Sequence, residues 1–269
     1  MIRASASTSP AVAPLRYLAV GEGPALVVLH GFAMQPSTYL PLARLLADRV
    51  QVVIPAIFET IGLWSYGHAL DCLEATLEER GLNRVSLLGH SFGGGLELGL
   101  AARRPELVAE CVFADTLGVR ERFGLAQEAL RDPFGLMALA TPRSVSAFFR
   151  STFTHPFHLA AAAMWGFLSD RDPEMDEVVE AGIPCHVLWA NHDTLLARSD
   201  GRDFALRLGA TFTVAAGPRV EHDWMFEDPE VFVEHLEGLG LEVLGGRSLS
   251  GRSSRAGRGR DPKPSGSPG

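Results

Sequence analysis

The segment Gly89-His90-Ser91-Phe92-Gly93-Gly94 constrains the fold of this chain more than any other feature. It follows "RVSLLG", which is typical of a short buried strand, and it leads into "GGLELGLAARRP", which is typical of a helix. Glycine is found where a backbone turns too sharply, or packs too closely, to leave room for a side chain. A strand, a sharp turn that carries a serine and a helix predict a nucleophile elbow, with the Ser91 hydroxyl exposed at the carboxyl end of a sheet.

Strand-like and helix-like segments alternate along most of the chain. The strand-like segments are continuously apolar, which is typical of a parallel sheet covered on both faces. They are "PALVVLHG" (24–31), "VQVVIPA" (50–56), "AECVFADT" (109–116), "IPCHVLWANHD" (183–193) and "ATFTVAAG" (210–217). The sequence therefore predicts an α/β fold with a doubly wound, mostly parallel sheet.

In the last helix-like segment, "DPEVFVEHLEGLG", Asp228 is expected to cap the helix and Pro229 to occupy its first turn.

The alternation stops near Gly118 and resumes near Ile183. The residues between them are helical in pattern and hold seven of the fifteen phenylalanines. We therefore predict a helical cap over residues 119–182, between the two parts of the core at 1–118 and 183–244. Its aromatic residues, among them Phe149 and Trp165, are expected to form an apolar lid over Ser91.

Charge and composition narrow the functional classes. The formal net charge is −8, although residues 245–269 carry six Arg or Lys and one Asp, so that residues 1–244 sum to −13. An acidic body offers no footprint for nucleic acid. The tail is rich in Gly, Ser, Pro and Arg, and we expect it to be disordered.

The sequence also bears on location and on metal binding. It contains neither the apolar core of a secretory signal nor an uninterrupted apolar run of about 18 residues, so a cytoplasmic protein without a membrane span is expected. The three cysteines, Cys72, Cys111 and Cys185, show no metal-ligand spacing. We expect no metal and no organic cofactor.

Four motifs resemble the α/β-hydrolase fold family with a helical cap. They are "HGF" (30–32), "GHSFGG" (89–94), "LWANHD" (188–193) and "EHDW" (221–224), and they occur in the order of the family. The resemblance extends over residues 15 to 244. It fails at "PAIFETIGLWS" (55–65), where many members carry an Asp-Arg-Gly loop that contributes to the pocket wall.

The resemblance implies a catalytic triad. A serine hydroxyl is a weak nucleophile at neutral pH and needs a base, which in turn needs a third group to hold its tautomer. The family places its base at His222, in a loop that follows the last strand, and its acid at Asp193, at the end of "CHVLWAN". Asp115, which ends "CVFAD", is a rival for the acid. His90, which precedes Ser91, is expected to be a buried packing residue.

The resemblance further implies an oxyanion hole formed by the backbone N–H groups of Phe32 and Phe92. The activity that it implies is that of a serine hydrolase, which forms an acyl-enzyme on Ser91 from a small or medium apolar ester. Two alternatives use the same triad, namely a carbon–carbon bond hydrolase and a cofactor-free perhydrolase. A third is a ligand sensor that scarcely turns over. Haloalkane dehalogenases and epoxide hydrolases are disfavoured because their elbows carry Asp in place of Ser91. The sequence does not indicate an oligomeric state.

Overall fold

The computed structural model describes residues 12–116, 142–168, 171–217 and 220–245. The predicted tail beyond Gly245 lies outside these ranges. The same is true of residues 119–141 of the predicted cap, including Phe123, Phe134 and Met137. The fold given below is that of the described residues.

A seven-stranded sheet forms the centre of the described fold. Its order is β1-β3-β2-β4-β5-β6-β7, and every neighbouring pair except β1 and β3 is parallel. The predicted α/β fold with a doubly wound, mostly parallel sheet is thereby confirmed. The strands are β1 (Tyr17–Val20), β2 (Ala25–Leu29), β3 (Gln51–Pro55), β4 (Val85–His90), β5 (Val108–Ala114), β6 (Cys185–Ala190) and β7 (Thr211–Ala215).

Helices cover both faces of the sheet. Because successive side chains of a strand point to opposite faces, Val27 and Leu29 belong to one apolar cluster, while Leu26 and Val28 belong to the other. The helices are α1 (Leu40–Leu46), α2 (Tyr66–Glu79), α3 (Phe92–Arg103), α4 (Pro142–Thr154), α5 (Pro156–Leu168), α6 (Asp172–Glu180), α7 (Arg198–Leu208), α8 (Trp224–Glu227) and α9 (Pro229–Gly238). Helices α2, α3, α6 and α7 pack on the first cluster, whereas α1 and α9 pack on the second.

Local sequence explains where several helices begin and end. The Ser65 hydroxyl accepts a hydrogen bond from the His68 N–H at 3.2 Å and so caps α2. Helix α7 ends at Gly209, which adopts the left-handed conformation with φ of +61°. Pro229 begins α9 as expected, but the Asp228 side chain makes no capping hydrogen bond, so the predicted cap is wrong. Asp228 has φ of −133° and ψ of +63°, outside the usual extended range of an N-cap residue.

Two features of the fold were not apparent from the sequence. The first is β1, a four-residue strand that pairs antiparallel with β3, from Tyr17 opposite Pro55 to Val20 opposite Val52. The second is that Met175 and Val178 of α6, which lie inside the predicted cap, are buried in the first apolar cluster of the core. The cap boundaries at 119 and 182 remain a prediction.

No helix in the part of the chain that the structure describes combines the length and the apolar composition that are needed to cross a bilayer.

Two glycines provide a matched test of how closely α3 packs on the sheet. A Cβ atom at Gly93 would overlap the Leu29 carbonyl oxygen, which belongs to the backbone and cannot turn away, whereas a Cβ atom at Gly67 in α2 would meet nothing within 4 Å. We expect Gly93→Ala to lower the free energy of unfolding by at least about 2 kcal/mol. Gly67→Ala should leave it unchanged or raise it by up to about 1 kcal/mol. Urea denaturation measures both. Equal stability of the two variants would contradict the close packing.

Candidate active site

Ser91 lies at a strained turn between β4 and α3. Its φ of +52° and ψ of −117° are unusual for a residue with a side chain and cost about 1–3 kcal/mol. The backbone around it holds this conformation, because the Ser91 N–H donates to the Ala114 carbonyl at 3.0 Å and the Gly94 N–H donates to the Ser91 carbonyl at 3.1 Å. The serine therefore has the conformation of the predicted elbow.

The elbow requires two glycines that pack without side chains. A Cβ atom on Gly89 would come within 2.5 Å of the Gly94 Cα atom, and one on Gly94 would overlap the Thr116 side chain. Strand β4 and the first turn of α3 can approach each other this closely because Gly89 has no Cβ atom, and the same turn can pack on Thr116 because Gly94 has none. The predicted role of the glycine-rich stretch in close packing is confirmed.

Three predicted side chains meet at the carboxyl edge of the sheet. The Ser91 Oγ atom lies 3.0 Å from His222 Nε2, and His222 Nδ1 lies 2.8 Å from Asp193 Oδ2. The other oxygen of Asp193 accepts hydrogen bonds of 2.8 Å from the N–H groups of Leu195 and Leu196. The geometry is that of a nucleophile, a base and a group that orients the base.

The pKa values of His222 and Asp193 shift in opposite directions. Burial lowers the pKa of His222, but the adjacent Asp193 carboxylate, with smaller contributions from Asp223 and Asp115, more than offsets this effect and raises the pKa above its ordinary value of 6.5. Burial raises the pKa of Asp193, yet the His222 charge and the two backbone N–H donors outweigh burial and lower it. Asp193 therefore stays ionised and holds the proton of His222 on Nδ1.

Asp115, the rival for the acid, is occupied elsewhere. One of its carboxyl oxygens accepts from the Ala190 N–H at 2.7 Å, and the other accepts from the Trp224 indole N–H at 2.7 Å. It is fully buried, and burial raises its pKa well above the usual value. Asp115 thus ties the end of β5 to the end of β6 and to α8, and His222 makes its carboxylate contact with Asp193.

Phe32 and Phe92, whose backbone N–H groups are predicted to bind the oxyanion, have adjacent side chains. Phe92 is the first residue of α3, so its N–H has no acceptor within the helix. Phe32 lies in a turn closed by a hydrogen bond from the Met34 N–H to the Gly31 carbonyl at 3.1 Å, and Ala33 in that turn has φ of +58°. The Phe32 and Phe92 rings contact each other, with centroids 5.8 Å apart.

The segment that departs from the family pattern provides aromatic residues next to the elbow. Phe58 contacts the Phe92 ring at 5.4 Å between centroids, and Trp64 contacts it at 6.0 Å. The Trp64 indole N–H donates to the Ile57 carbonyl at 3.0 Å. The sequence showed that this loop is unusual, but it did not show that both aromatic residues turn inward.

Of the two predicted lid residues, the structure brings only Trp165 to the residues around Ser91. Its ring contacts Phe92 edge-on at 5.4 Å, stacks on Tyr66 at 4.1 Å, and lies 3.9 Å from the Arg171 guanidinium carbon. Trp165 therefore contacts an aromatic ring and a guanidinium in addition to Phe92. Phe149 is 46% exposed, and its ring contacts Phe148.

A metal centre is not favoured by the donor atoms available. The described residues contain one cluster with ligand-like spacing, formed by His90, His222 and Asp223. All four imidazole nitrogens of the two histidines already make hydrogen bonds, to Tyr39, to the His222 carbonyl, to Ser91 and to Asp193. A metal ion would have to break the contacts that position the base.

Comparisons with known proteins agree on the family and the fold. Residues 26–235 match the family model described as "Alpha/beta hydrolase family". A protein of Mycobacterium phage D29 named "Putative non-heme haloperoxidase" is 26% identical over 262 residues, which cover 86% of this chain and 93% of the phage protein.

Two solved structures are similar in fold. The thermophilic esterase from Thermogutta terrifontis superposes with a TM-score of 0.68 at 20% identity, covering 85% of this chain and 93% of the esterase. The bromoperoxidase from Bacillus anthracis gives a TM-score of 0.67 at 14% identity, covering 82% of this chain and 93% of the bromoperoxidase. At these identities the two structures are evidence for a shared fold alone.

The contacts of His222 predict how its pKa responds to substitution. Asp193→Asn removes the carboxylate that raises the pKa of His222 most and leaves burial opposed only by the Asp223 and Asp115 charges, so this pKa should fall. Asp115→Asn removes a carboxyl group that does not contact the imidazole, so the pKa of His222 should change much less. NMR titration of the His222 ring protons measures both. The opposite ranking, in folded variants, would contradict the assignment of Asp193.

Proposed function

Because the chain belongs to the alpha/beta hydrolase family, we propose that it is a serine hydrolase that cleaves small or medium apolar carboxylic esters through an acyl-enzyme on Ser91. The observation that carries this proposal is the continuous hydrogen-bonded path from Ser91 Oγ through His222 to Asp193. A hydroxyl, an imidazole and a carboxylate in this order form the arrangement that activates a serine.

In the proposed acylation, the Ser91 proton passes to His222 Nε2 while Oγ bonds to the ester carbonyl carbon. The resulting oxyanion accepts hydrogen bonds from the N–H groups of Phe32 and Phe92. As the carbon–oxygen bond to the alcohol breaks, His222 returns the proton to the departing alcohol oxygen. Asp193 stabilises the imidazolium between these two transfers.

Deacylation repeats the cycle with water. His222 Nε2 takes a proton from a water molecule while the water oxygen bonds to the acyl carbon. When the tetrahedral species collapses, the bond to Ser91 Oγ breaks and the proton returns to Oγ. The products are the carboxylic acid and free enzyme, so no metal or organic cofactor is required.

The side chains near Ser91 support an apolar substrate. Ring contacts connect Phe32, Phe58, Trp64, Phe92 and Trp165 into one aromatic cluster. Two of these residues, Phe32 and Phe92, are those whose N–H groups are proposed to bind the oxyanion. Aromatic walls bury apolar groups well and offer few polar partners, so an acyl chain without charge is favoured.

A second candidate, perhydrolysis, is favoured by the name of the phage relative, which covers most of this chain. In that reaction hydrogen peroxide replaces water in deacylation, and the product is a peracid. Both reactions share the acyl-enzyme. Formation of peracid from an ester and hydrogen peroxide, measured against formation of the carboxylic acid, separates them.

Ser91→Ala tests the covalent step. We expect the variant to lose both labelling by a fluorophosphonate probe and hydrolysis of p-nitrophenyl butyrate, because Oγ forms the covalent bond. Ser86→Ala is a matched control, since Ser86 is a buried serine of β4, the strand that leads to Ser91, and its hydroxyl donates to Glu110 at 2.7 Å. It should keep both activities. A Ser91→Ala variant that hydrolyses the ester at the wild-type rate would refute the proposal, and an unlabelled, inactive wild-type protein would favour a ligand sensor.

Trp165 and Phe149 form a pair for testing substrate selection. Truncating Trp165 opens space beside Phe92, so Trp165→Ala should shift the preferred acyl chain toward longer p-nitrophenyl esters. Phe149→Ala removes a half-exposed ring and should leave the order of preference unchanged. The ratios of kcat/KM across chains of two to twelve carbons, roughly the span of short to medium acyl groups, give the result. An unchanged preference in Trp165→Ala would remove this residue from the pocket.

A further inference from the structure

A chain of buried hydrogen bonds lies behind the candidate triad. The Gly31 N–H donates to the Tyr39 hydroxyl at 3.0 Å, and the same hydroxyl lies 2.6 Å from His90 Nδ1. On the other side of that ring, His90 Nε2 lies 2.9 Å from the carbonyl oxygen of His222. The chain therefore begins next to Phe32, whose N–H is proposed to bind the oxyanion, and ends on the proposed base.

Chemistry fixes the direction of every bond in this chain. The Gly31 N–H can only donate, and the His222 carbonyl can only accept. His90 must therefore carry a proton on Nε2. If His90 is neutral, its Nδ1 has no proton and accepts the single proton of the Tyr39 hydroxyl, while the Tyr39 oxygen accepts from Gly31.

Burial keeps His90 neutral. Tyr39 is 0% exposed and His90 is 1% exposed. Burial, together with the neighbouring charge of His222, lowers the pKa of His90 to about 3. Burial also raises the pKa of Tyr39, so its hydroxyl keeps its proton. The ring of Phe226 packs edge-on against both side chains, with centroids 5.3 Å from Tyr39 and 6.1 Å from His90.

We propose that Tyr39 and His90 are positioning residues, which hold the oxyanion loop at Gly31 and the backbone of the base at His222 in a fixed relation to Ser91. The Ser91 hydroxyl is hydrogen-bonded to His222 and not to either of these side chains, so both act through other residues. This inference rests on the proposed function, because the distances that it fixes matter only for a reaction at Ser91.

The position of His90 in the chain makes the coupling direct. His90 is the last residue of β4 and immediately precedes Ser91. One imidazole therefore connects the strand that carries the nucleophile to the loop that carries the base, and through Tyr39 to the loop that carries Phe32. Removing the Tyr39 hydroxyl leaves the Gly31 N–H and His90 Nδ1 without a partner, and both are buried.

The first measurement tests the chain of bonds without reference to activity. The ¹⁵N shifts of the His90 ring in the wild-type protein should show Nε2 protonated and Nδ1 unprotonated from about pH 5 to about pH 8. A charged ring, or a proton on Nδ1 alone, would overturn the inference. Because this result does not depend on hydrolysis, it stands even if the protein proves not to be a hydrolase.

The second measurement compares two variants that each lose one buried hydroxyl. Tyr39→Phe breaks the series of hydrogen bonds from Gly31 to His222. Thr76→Val removes a hydroxyl that accepts from the Leu15 N–H at 2.8 Å, and this hydroxyl is not part of that series. The rate of p-nitrophenyl butyrate hydrolysis gives kcat, which is divided by the fraction of protein that a fluorophosphonate probe labels. We expect this normalised kcat to fall at least about tenfold in Tyr39→Phe. KM should stay within about twofold, and Thr76→Val should keep both constants.

The outcomes separate this inference from the proposed function. Dividing by the labelled fraction removes any loss that is due only to unfolded protein. An equal kcat per labelled site in Tyr39→Phe, Thr76→Val and the wild type would overturn the inference and leave the proposed function intact. A wild-type protein that is neither labelled nor active would refute the proposed function, and the ¹⁵N shifts would then decide the chain of bonds alone.

A double-variant cycle tests whether the two residues act as one unit. His90→Leu removes both hydrogen bonds of the imidazole. If Tyr39 works partly through His90, the double variant Tyr39→Phe/His90→Leu should lose less kcat than the product of the two single losses. Losses that multiply would show two independent effects and would overturn the proposed chain. If His90→Leu does not fold, Tyr39→Phe against Thr76→Val decides the result.

Discussion

The close packing of α3 against the sheet is the constraint on which the rest of the site depends. Gly93 of this helix lies directly against the Leu29 carbonyl, and Gly94 lies against Thr116. With this packing, the helix begins immediately beyond β4, and the residue between them must turn with positive φ. That residue is Ser91. The strain at Ser91 is thus a consequence of helix packing, and the surrounding backbone hydrogen bonds offset its cost.

Asp115 and Asp193 follow neighbouring strands, and the loop around each residue determines which groups its carboxylate contacts. Asp115 follows β5 directly and is pulled inward by the Ala190 N–H and the Trp224 indole. Asp193 comes three residues after β6, in a turn whose N–H groups at Leu195 and Leu196 hold one of its oxygens. This leaves the second oxygen of Asp193 free to face His222. The sequence could favour Asp193 only through the order of the family motifs, because both residues end apolar strands.

The sequence predicted features that depend on residues close together along the chain, and it missed contacts between residues far apart along the chain. The strands, the elbow and the meeting of Ser91, Asp193 and His222 follow from apolar periodicity, glycine placement and the motif order. The antiparallel β1 was missed because it is four residues long and no more than partly buried. The roles of Tyr39 and Arg171 were missed because each depends on partners far along the chain. A tyrosine within an amphipathic helix pattern gives no sign that its hydroxyl reaches His90 across 51 residues.

Three histidines near the elbow differ in the direction of their pKa shifts. Burial lowers the pKa of His30 to about 4 and that of His90 to about 3. Neither ring has a hydrogen bond to a carboxylate among the described contacts, and each uses both nitrogens to hold backbone or Tyr39. His222 lies at the same edge of the sheet with its side chain 12% exposed, and the Asp193 carboxylate, with Asp223 and Asp115, more than offsets the lowering of its pKa by burial. The carboxylate of Asp193 therefore distinguishes the proposed base, whose pKa is raised, from two imidazoles whose pKa is lowered and which hydrogen-bond to the surrounding loops.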